Sequence, residues 1–526
     1  MNKKFLIAVL PLLLLTSCGG GSTSLSTGEN TTPAATTPEA TTPEATTPEA
    51  TTPDATTPEE YVPQITEATE ITLWSITGQN NQAQLQSYVD AFMRLEPKVK
   101  VNNIIQTGMG YNELKDAVVK GFPTNNYPDI VQCYPDHVAE YINYNKAVDL
   151  DPYINNETYG WSDFDKEDII ETFLDEGMEY TVEGTYSVPY CKSTEAMFYN
   201  ADVLVGLNLS DTKAGKDING TGRLTKNYLD NLTWEDLFDK LCPALIEYND
   251  SLPEGKKILL NDQDYHAVFA YDSDDNLFIT LCEQYGLGYT SVDTATGKGD
   301  FNFYSDEESR NKIADLLVKW NEYARKGYII SKGSAGNNYT NEYFTKNNTL
   351  FSVGSTGGVK YQVSEKFNVN EAKIPHAAGK DFKVINQGPS LTVLDHDDEN
   401  RRLASWLLYK TITNEDNALD WALNSGYMGI RKSSVNSEVY QEAMDTDEQE
   451  EKTLDMLLAK NKQYTAQEDV LAGLYTSPAF VGSSTARTQV SGVMTKALTT
   501  TTVATKEMVL GWLESAYNQC LLAQKA

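Results

Sequence analysis

The sequence contains few of the residues that carry metal or nucleophilic chemistry. Its 526 residues include four histidines, and no two of them stand at the spacing typical of metal ligands. It also lacks the G-x-S-x-G turn of serine hydrolases and the G-x-x-x-x-G-K loop that binds phosphate. The sequence therefore predicts no metal, no cofactor and no catalytic residue.

Cysteine is also scarce. The six cysteines lie at positions 18, 133, 191, 242, 282 and 520, and without a C-x-x-C pair a zinc or redox motif has no support. If Cys18 is modified, an odd number remains, which argues against a complete set of disulfides. We expect the remaining cysteines to be small apolar residues of the interior.

Positive charge is in the minority. The 42 Lys and Arg residues against 75 Asp and Glu residues give a net charge of −33. A surface this acidic opposes binding to nucleic acid or to anionic lipid. No apolar run after the first residues approaches the ~18 residues of a membrane-spanning helix. We therefore predict neither a nucleic-acid partner nor a second membrane segment.

The first residues have the order of a secretion signal. Lys3 and Lys4 precede an apolar stretch over residues 5–15, and Thr16, Ser17 and Cys18 follow. This end resembles the lipobox of bacterial lipoproteins, which implies cleavage before Cys18 and a lipid on its thiol. The alternative is an ordinary secretion signal with a cysteine there by chance. We predict a lipid-anchored protein at the extracellular face of the cell membrane.

A repetitive segment follows the signal. Residues 31–60 are six pentapeptides of the form TTPAA, TTPEA, TTPDA or TTPEE. These repeats cannot bury enough apolar surface to offset the conformational entropy that the chain would lose on folding. A proline at every fifth position also favours an extended backbone. We predict a signal peptide over residues 1–17 and a disordered linker over residues 18–64. The linker would act as a spacer between the lipid anchor and the folded residues, and O-glycosylation of the repeats would leave that role almost unchanged.

Strands and amphipathic helices alternate along the remaining residues, of which there are about 460. Residues 71–76 and 128–134 have the composition of strands, and apolar residues at helical spacing lie between them. A second stretch with apolar residues at helical spacing covers residues 313–323, and Gly327 is placed as the cap at its end. This alternation predicts an α/β protein with mostly parallel sheets flanked by helices. The length favours two lobes of about 200 residues each.

Seven short motifs follow one another in the order found in one family. They are ITLWSITG, YPDIVQCYPDHVAEYI, SVPYCKSTEAMFYNADVL, LTWEDLFDKL, LFSVGSTGG, INQGPSLTVL and NSGYMGIRKS. With them the chain resembles the extracellular solute-binding proteins of bacterial ABC importers, of the carbohydrate class. The resemblance implies a two-lobe fold of the periplasmic-binding-protein type with the ligand in the cleft between the lobes.

The resemblance also implies where the lobes divide. The chain would cross between them near Pro189, Pro375 and Gly429. Lobe 1 would then comprise residues 65–189 and 375–428, and lobe 2 residues 190–374 and 429–526.

Within the class, the chain is most similar to glycerol-3-phosphate-binding proteins. The matched positions imply a set of ligand-binding residues: Ser193, Thr194, Ser355, Thr356, Gly388, Tyr427 and Arg487. The chain departs from that group at three positions, where Pro135 replaces a glutamate, Gln387 a glycine and Gly429 a proline. The class of ligand, a sugar or a sugar phosphate, therefore stays open. Asp136 instead matches an aspartate of maltodextrin-binding relatives.

Three of the candidates follow strands at their carboxyl ends, where ligands bind in open α/β sheets. Trp74, Tyr134 and Asp136 would offer aromatic faces to the C–H surfaces of a sugar and a carboxylate to its hydroxyls. Trp74 could equally be a core residue, and Tyr427 could serve only as part of a hinge.

The remaining candidates suit anionic or hydroxyl oxygens. The small residues at 193–194 and 355–356 let backbone N–H groups approach a ligand, and Arg487 would supply a fork of donors. The alternatives are an ordinary loop and an ion pair with one of the many acids. The acidic run over residues 272–276 lacks the glycine and glutamate of a calcium loop, so we expect a solvated turn there.

These patterns predict a binding protein rather than an enzyme. It would capture a sugar, an oligosaccharide or a glycerol phosphate, act as a monomer, and deliver its cargo to ABC permease subunits. Two rival functions stay open: a lipid-anchored glycoside hydrolase, whose carboxylate pair has no sequence signature, and a surface adhesion or scaffold protein.

Overall fold

The computed structural model describes residues 61–293, 296–445 and 453–525. Its strands are β1 Thr69–Ser75, β2 Val99–Ile105, β3 Ile130–Cys133, β4 Val188–Pro189, β5 Glu195–Asn200, β6 Phe269–Tyr271, β7 Ser291–Asp293, β8 Lys298–Asp300, β9 Ile329–Ser331, β10 Phe351–Ser355, β11 Val369–Ala372, β12 Val384–Ile385, β13 Ser390–Val393 and β14 Leu474–Tyr475.

Helices of very different length lie between many of these strands. They are α1 Gln79–Leu95, α2 Tyr111–Gly121, α3 Pro135–Asn143, α4 Asp151–Ile154, α5 Asp163–Asp168, α6 Glu171–Asp175, α7 Ala201–Leu204, α8 Lys226–Asp230, α9 Cys242–Ser251, α10 Asp274–Tyr285, α11 Asn302–Ser305, α12 Glu307–Arg325, α13 Asn341–Phe344, α14 Glu399–Ile412, α15 Glu415–Asn424, α16 Lys432–Asn436, α17 Glu438–Met444, α18 Leu454–Thr465, α19 Glu468–Gly473, α20 Ser483–Thr499 and α21 Lys506–Ala523.

Two five-stranded sheets organise the fold. The first has the order β2-β1-β3-β13-β4 and the second the order β11-β5-β10-β6-β9. In the first sheet, β1 runs parallel to β2 and β3, with Leu73 opposite Ile130, whereas β13 runs antiparallel to β3 and β4. The α/β fold class predicted from the sequence is confirmed.

In each sheet four strands run in one direction and one runs against them, so the prediction of mostly parallel sheets is confirmed. The second sheet pairs β10 with β6 and β6 with β9 in parallel, but β5 runs antiparallel to both β10 and β11. The strands that run against the others are β13 in the first sheet and β5 in the second. Each of them enters its sheet directly from the other sheet, without the helical crossover that makes neighbouring strands parallel.

Each sheet has its own apolar core. In the first, Ile71 and Leu73 of β1 pack with Phe92 of α1 and Trp406 of α14. In the second, the rings of Trp234, Phe238 and Trp320 pack in mutual contact, with centroids 5.2–6.0 Å apart. Burying one large apolar side chain contributes about 1.5–3 kcal/mol, so these rings are a main source of stability.

The helix predicted over residues 313–323 shows how local signals set boundaries. Asp306 accepts a hydrogen bond from Ser309 N at 2.8 Å and so caps the start of α12. The helix ends before Gly327, whose φ of +73° is costly for other residues but not for glycine. The predicted cap position of Gly327 is confirmed.

Cys133, Cys191, Cys242, Cys282 and Cys520 are all buried, as predicted. Burial raises the pKa of the thiols, including that of Cys133 to about 12, so they stay protonated. Across the described residues, no helix combines the length and hydropathy needed to cross a bilayer.

The predicted signal peptide, Cys18 and the repeats up to residue 60 lie outside the described residues. Residues 61–64, which the prediction places in the linker, are held by the folded body. The buried carboxylate of Glu96 accepts hydrogen bonds from Tyr61 Oη at 2.6 Å, from Gln64 N at 2.7 Å and from Ile65 N at 3.0 Å.

Candidate functional site

A cavity of about 470 Å³ lies where the ends of the two sheets face each other. The helices α2 and α3, which follow strands of the first sheet, supply one wall, and α10 and α20 supply the opposite wall. Segments that pass between the sheets close the rest. The lining residues are Gly110, Tyr111, Asn112, Glu113, Tyr134, Pro135, Asp136, His137, Glu176, Ser273, Asp275, Asn276, Tyr289, Ile385, Asn386, Gln387, Thr476, Ser477, Pro478, Ser483, Arg487, Thr488 and Ser491.

Aromatic rings form part of this wall. Tyr134 follows the last residue of β3, and its ring meets that of Tyr111 edge to face, with centroids 4.5 Å apart. Tyr289 lines the cavity as well. Burial raises the pKa of all three phenols, so each keeps its hydroxyl proton and can act as donor or acceptor.

The start of α3 places a carboxylate beside these rings. Asp136 lies in the first turn of the helix, next to His137. Tyr134 N donates to His137 Nδ1 at 3.4 Å, which leaves Nε2 to donate to Asn112 Oδ1 at 3.1 Å. Because burial lowers the pKa of His137, the ring is neutral near pH 7 and does not offset the charge of Asp136.

The opposite wall contains an ion pair. Arg487 on α20 donates from one nitrogen, Nη1, to Asp275 Oδ2 at 2.8 Å and to Asn276 Oδ1 at 3.0 Å. Burial opposes ionisation of Asp275, yet the guanidinium outweighs it and holds the pKa of that carboxyl below its ordinary value. Both residues are therefore charged while they line the cavity.

A second layer of polar groups supports this wall. Asn276 Nδ2 donates to Glu195 Oε1 at 2.9 Å and to Gln387 Oε1 at 3.0 Å. Tyr271 Oη also donates to the carboxylate of Glu195. Burial raises the pKa of Glu195 to about 7, despite these hydrogen bonds, so its charge changes in the neutral range.

The base of the cavity contains a buried ion pair. Lys192 donates to the carboxylate of Glu176, which lines the cavity, and also to Gly388 O at 3.1 Å. The backbone carbonyl of Lys192 accepts from Met428 N at 2.7 Å. One lysine thus connects its own stretch, between β4 and β5, with Glu176, Gly388 and Met428.

Of the residues predicted from the sequence, Tyr134, Asp136 and Arg487 line the cavity together. Arg487 is also ion-paired with Asp275, so the predicted position at the cavity and the alternative of an ion pair both describe this residue. These placements agree with a binding role, which stays a prediction.

The four small residues predicted to bind ligand lie next to one another, behind the lining residue Gln387, whose backbone N–H donates to Ser193 O at 2.9 Å. Thr356 N donates to Thr194 O at 2.8 Å, and Thr194 N donates to Thr356 Oγ1 at 3.1 Å. Ser355 Oγ donates to Ser193 Oγ at 3.2 Å. Their polar groups hydrogen-bond one another and connect β5 with β10.

Trp74, Gly388 and Tyr427 also lie outside the cavity lining. Trp74 packs against the apolar cluster that includes Leu114 and Val131. Gly388 has a φ of +91°, and a Cβ there would lie 2.0 Å from Cys191 O. The ring of Tyr427 stacks on that of Trp421, with centroids 6.2 Å apart.

Sequence reasoning missed several lining residues, among them Tyr111, Glu113 and Glu176. Tyr111 and Glu113 begin α2 after β2, so the rule that singled out Tyr134 at a strand end could have found them. Tyr289 and Glu176 carry no comparable local signal. Within the described residues, no group of three or more His, Cys, Asp or Glu side chains is placed to hold a metal ion.

The expected solvated turn over residues 272–276 is wrong. Asp274 and Asn276 are only 4% and 6% exposed. Asp274 accepts hydrogen bonds from Ser331 Oγ at 2.6 Å and from Gly333 N at 2.8 Å, and Asp275 pairs with Arg487. Partners more than 50 positions away along the chain compensate the burial of these carboxylates, and their identity could not be read from the local sequence.

The comparisons with known proteins agree with this geometry. A family model described as bacterial extracellular solute-binding protein matches residues 87–448. No curated protein sequence is significantly similar to the chain.

Solved structures share the fold at low sequence identity. UgpB from Mycobacterium tuberculosis, in complex with glycerophosphocholine, has 16% identity and a TM-score of 0.63, covering 87% of this chain and 98% of its own. The GacH receptor of Streptomyces glaucescens, studied with acarbose, has 15% identity and a TM-score of 0.61, covering 86% and 99%. Lmo0181 from Listeria monocytogenes, in complex with cycloalternan, has 16% identity and a TM-score of 0.61, also covering 86% and 99%.

Proposed function

The chain belongs to the bacterial extracellular solute-binding proteins, and from that premise we propose that it captures a carbohydrate or a related polar solute and delivers it to ABC permease subunits. The observation that carries the proposal is the cavity between the two sheets. Tyrosine rings and planar polar groups both line it.

The two kinds of lining group match the two kinds of surface on a sugar. Tyr111, Tyr134 and Tyr289 supply apolar ring faces for C–H groups, and their hydroxyls supply hydrogen bonds. Asp136, Asn386 and other polar side chains supply acceptors for the hydroxyl rim. The structures of similar fold support this class of ligand, since they hold acarbose, cycloalternan and glycerophosphocholine.

We further propose that ligand binding favours a closed form. The cavity takes residues from both sides, so a bound solute would contact both and stabilise their approach. The predicted lobes, residues 65–189 with 375–428 and residues 190–374 with 429–526, would move about the stretches that Lys192 joins. Small-angle scattering with and without ligand measures this change, and identical curves at saturation would count against closure.

The anchor at Cys18 is part of the same proposal. A lipid on its thiol and the repeats that follow would hold the binding protein at the extracellular face of the membrane. Metabolic labelling with a palmitate analogue should label the wild-type chain but not Cys18→Ala, which should appear in the medium. Equal labelling of both proteins would exclude this anchor.

The test of the central function is a binding screen of the full chain carrying Cys18→Ala. A solute present at 100 times its Kd should stabilise the protein by about 2.7 kcal/mol, visible as a rise in Tm. One saturable sugar ligand without turnover supports the binding protein. Hydrolysis of chromogenic glycosides would favour the glycosidase, and the absence of any saturable ligand would favour a scaffold.

A further inference from the structure

The charges that line the cavity are strongly unequal. Four carboxylates line it, on Glu113, Asp136, Glu176 and Asp275, and the guanidinium of Arg487 faces them. His137 adds no positive charge near pH 7, because burial lowers its pKa. The cavity therefore has an excess of negative charge that does not follow from a general affinity for sugars.

Two of the carboxylates already have cationic partners. Arg487 pairs with Asp275 at 2.8 Å, and Lys192 pairs with Glu176 from behind the cavity wall. The remaining two, Asp136 and Glu113, have no lysine or arginine within 4.0 Å among the described residues. Lys115, which lies nearby on α2, instead pairs with Asp116 at 3.0 Å and Glu140 at 3.4 Å.

The same two carboxylates occupy the positions where an anion would otherwise bind. Glu113 lies in the first turn of α2 and Asp136 in the first turn of α3. A helix N-terminus attracts anions through its free N–H groups and its dipole, but an acidic side chain there already uses that attraction. A phosphate group in the cavity would meet a carboxylate at each helix end, while Arg487, whose charge also acts on Asp136, is already paired with Asp275.

Two buried polar atoms of the cavity lining also lack a partner. Asn386 is 4% exposed and its Oδ1 accepts no hydrogen bond, and Tyr289 is 5% exposed and its Oη makes none. An amide oxygen only accepts, so the ligand group that satisfies Asn386 must be a donor. The edge-to-face rings of Tyr111 and Tyr134 add a surface that attracts cations.

We propose that the solute carries a positively charged amino group, which pairs with Asp136 and Glu113, and that it carries no phosphate. This inference rests on the proposed function and narrows it from carbohydrates in general to amino sugars and similar cationic polyols. The ammonium would contact the tyrosine rings, and a hydroxyl or N–H of the same solute would donate to Asn386.

Calorimetric titration of the full chain carrying Cys18→Ala tests this with matched ligands. The probes are β-1,4-linked oligomers of one to four units of glucosamine, of N-acetylglucosamine and of glucose, together with glycerol 3-phosphate and glucose 6-phosphate. We expect the glucosamine series to bind at least tenfold more tightly than either neutral series of equal length. Raising the salt from 20 mM to 500 mM should shrink this preference.

Two substitutions separate the charge effect from general damage to the fold. Asp136→Asn should reduce the preference for amino over neutral oligomers about tenfold. Glu254→Gln, which removes an exposed carboxylate that does not line the cavity, should leave the preference unchanged.

The outcomes distinguish this inference from the function on which it rests. If neutral oligomers or either phosphate bind as tightly as the amino series or more tightly, the inference of a cationic solute is overturned. The proposed function as a binding protein would still stand. A preference for the amino series that survives Asp136→Asn also overturns it. Failure of every sugar and phosphate to bind counts against the proposed function itself.

Discussion

Lys192 and Glu176 form an ion pair in the protein interior, with side-chain exposures of 0% and 2%. The desolvation of two buried charges is offset only while both are present, together with their additional hydrogen bonds from Ser390 Oγ and to Gly388 O. Because the pair lies at the base of the cavity, the stability of the fold and the shape of the site depend on the same contact.

Replacing Lys192 alone should therefore be severe. Lys192→Met leaves the Glu176 carboxylate buried without a cation, and we expect a loss of about 3–5 kcal/mol in the free energy of unfolding. Lys226→Met removes one member of a surface pair with Asp230, where the lysine is 51% exposed, and should cost less than about 1 kcal/mol. Urea denaturation of both variants checks the difference, and similar losses would contradict it.

Gly388 should tolerate no side chain. Its φ is +91°, and a Cβ would come within 2.0 Å of Cys191 O, so Gly388→Ala should destabilise the fold by more than about 2 kcal/mol. In contrast, a Cβ on Gly511 in α21 meets nothing within 4 Å, and Gly511→Ala should stabilise by about 0.5–1 kcal/mol. Thermal unfolding measures both. A neutral Gly388→Ala would mean that the backbone between the sheets adjusts freely.

The Arg487–Asp275 pair should show energetic coupling. Arg487→Gln leaves Asp275 without its cation and Asp275→Asn leaves Arg487 without its anion, so each single change should weaken the fold. The double variant should lose less than the sum of the two, with a coupling energy of about 1–3 kcal/mol. Denaturation of all four proteins gives this value, and additive losses would show that the two side chains act independently.

Glu195 should make stability depend on pH. Its pKa rises on folding from 4.5 to about 7, so between these values the folded chain holds a proton that the unfolded chain has released. Stability should therefore fall as pH rises from about 4.5 to 7, by up to about 3 kcal/mol, and then level off. Glu195→Gln should flatten this slope whereas Glu254→Gln should keep it, as followed by urea midpoints across pH. An unchanged slope in Glu195→Gln would assign the effect to other groups.

The parts of the fold that were predictable have their signals in contiguous residues. The apolar stripe and the capping residues of α12 lie within about 20 positions of one another, so sequence alone located that helix and the glycine after it. The antiparallel entry of β13 could not be inferred in this way, because it depends on the path by which the chain returns from the second sheet.

Lining residues of the cavity were predictable in two ways, from a position after a strand end and from the family resemblance. Tyr134 and Asp136 were found because they come directly after β3, and Arg487 was found through the family resemblance. Asp275 was misjudged because its partner lies 212 positions away. Thr194 and Thr356 have the small size expected of ligand loops, but their polar groups bond each other. Local sequence does not contain the information that separates these cases.

The two walls of the cavity are made at very different times during synthesis. Asp136 precedes Arg487 by about 350 residues, which at typical rates of translation corresponds to roughly 20 to 70 s. During this interval the growing chain has Glu113 and Asp136 but no α20 to face them. A nascent chain at this stage lacks part of the cavity lining. The cavity is therefore completed only after the ribosome has passed Arg487.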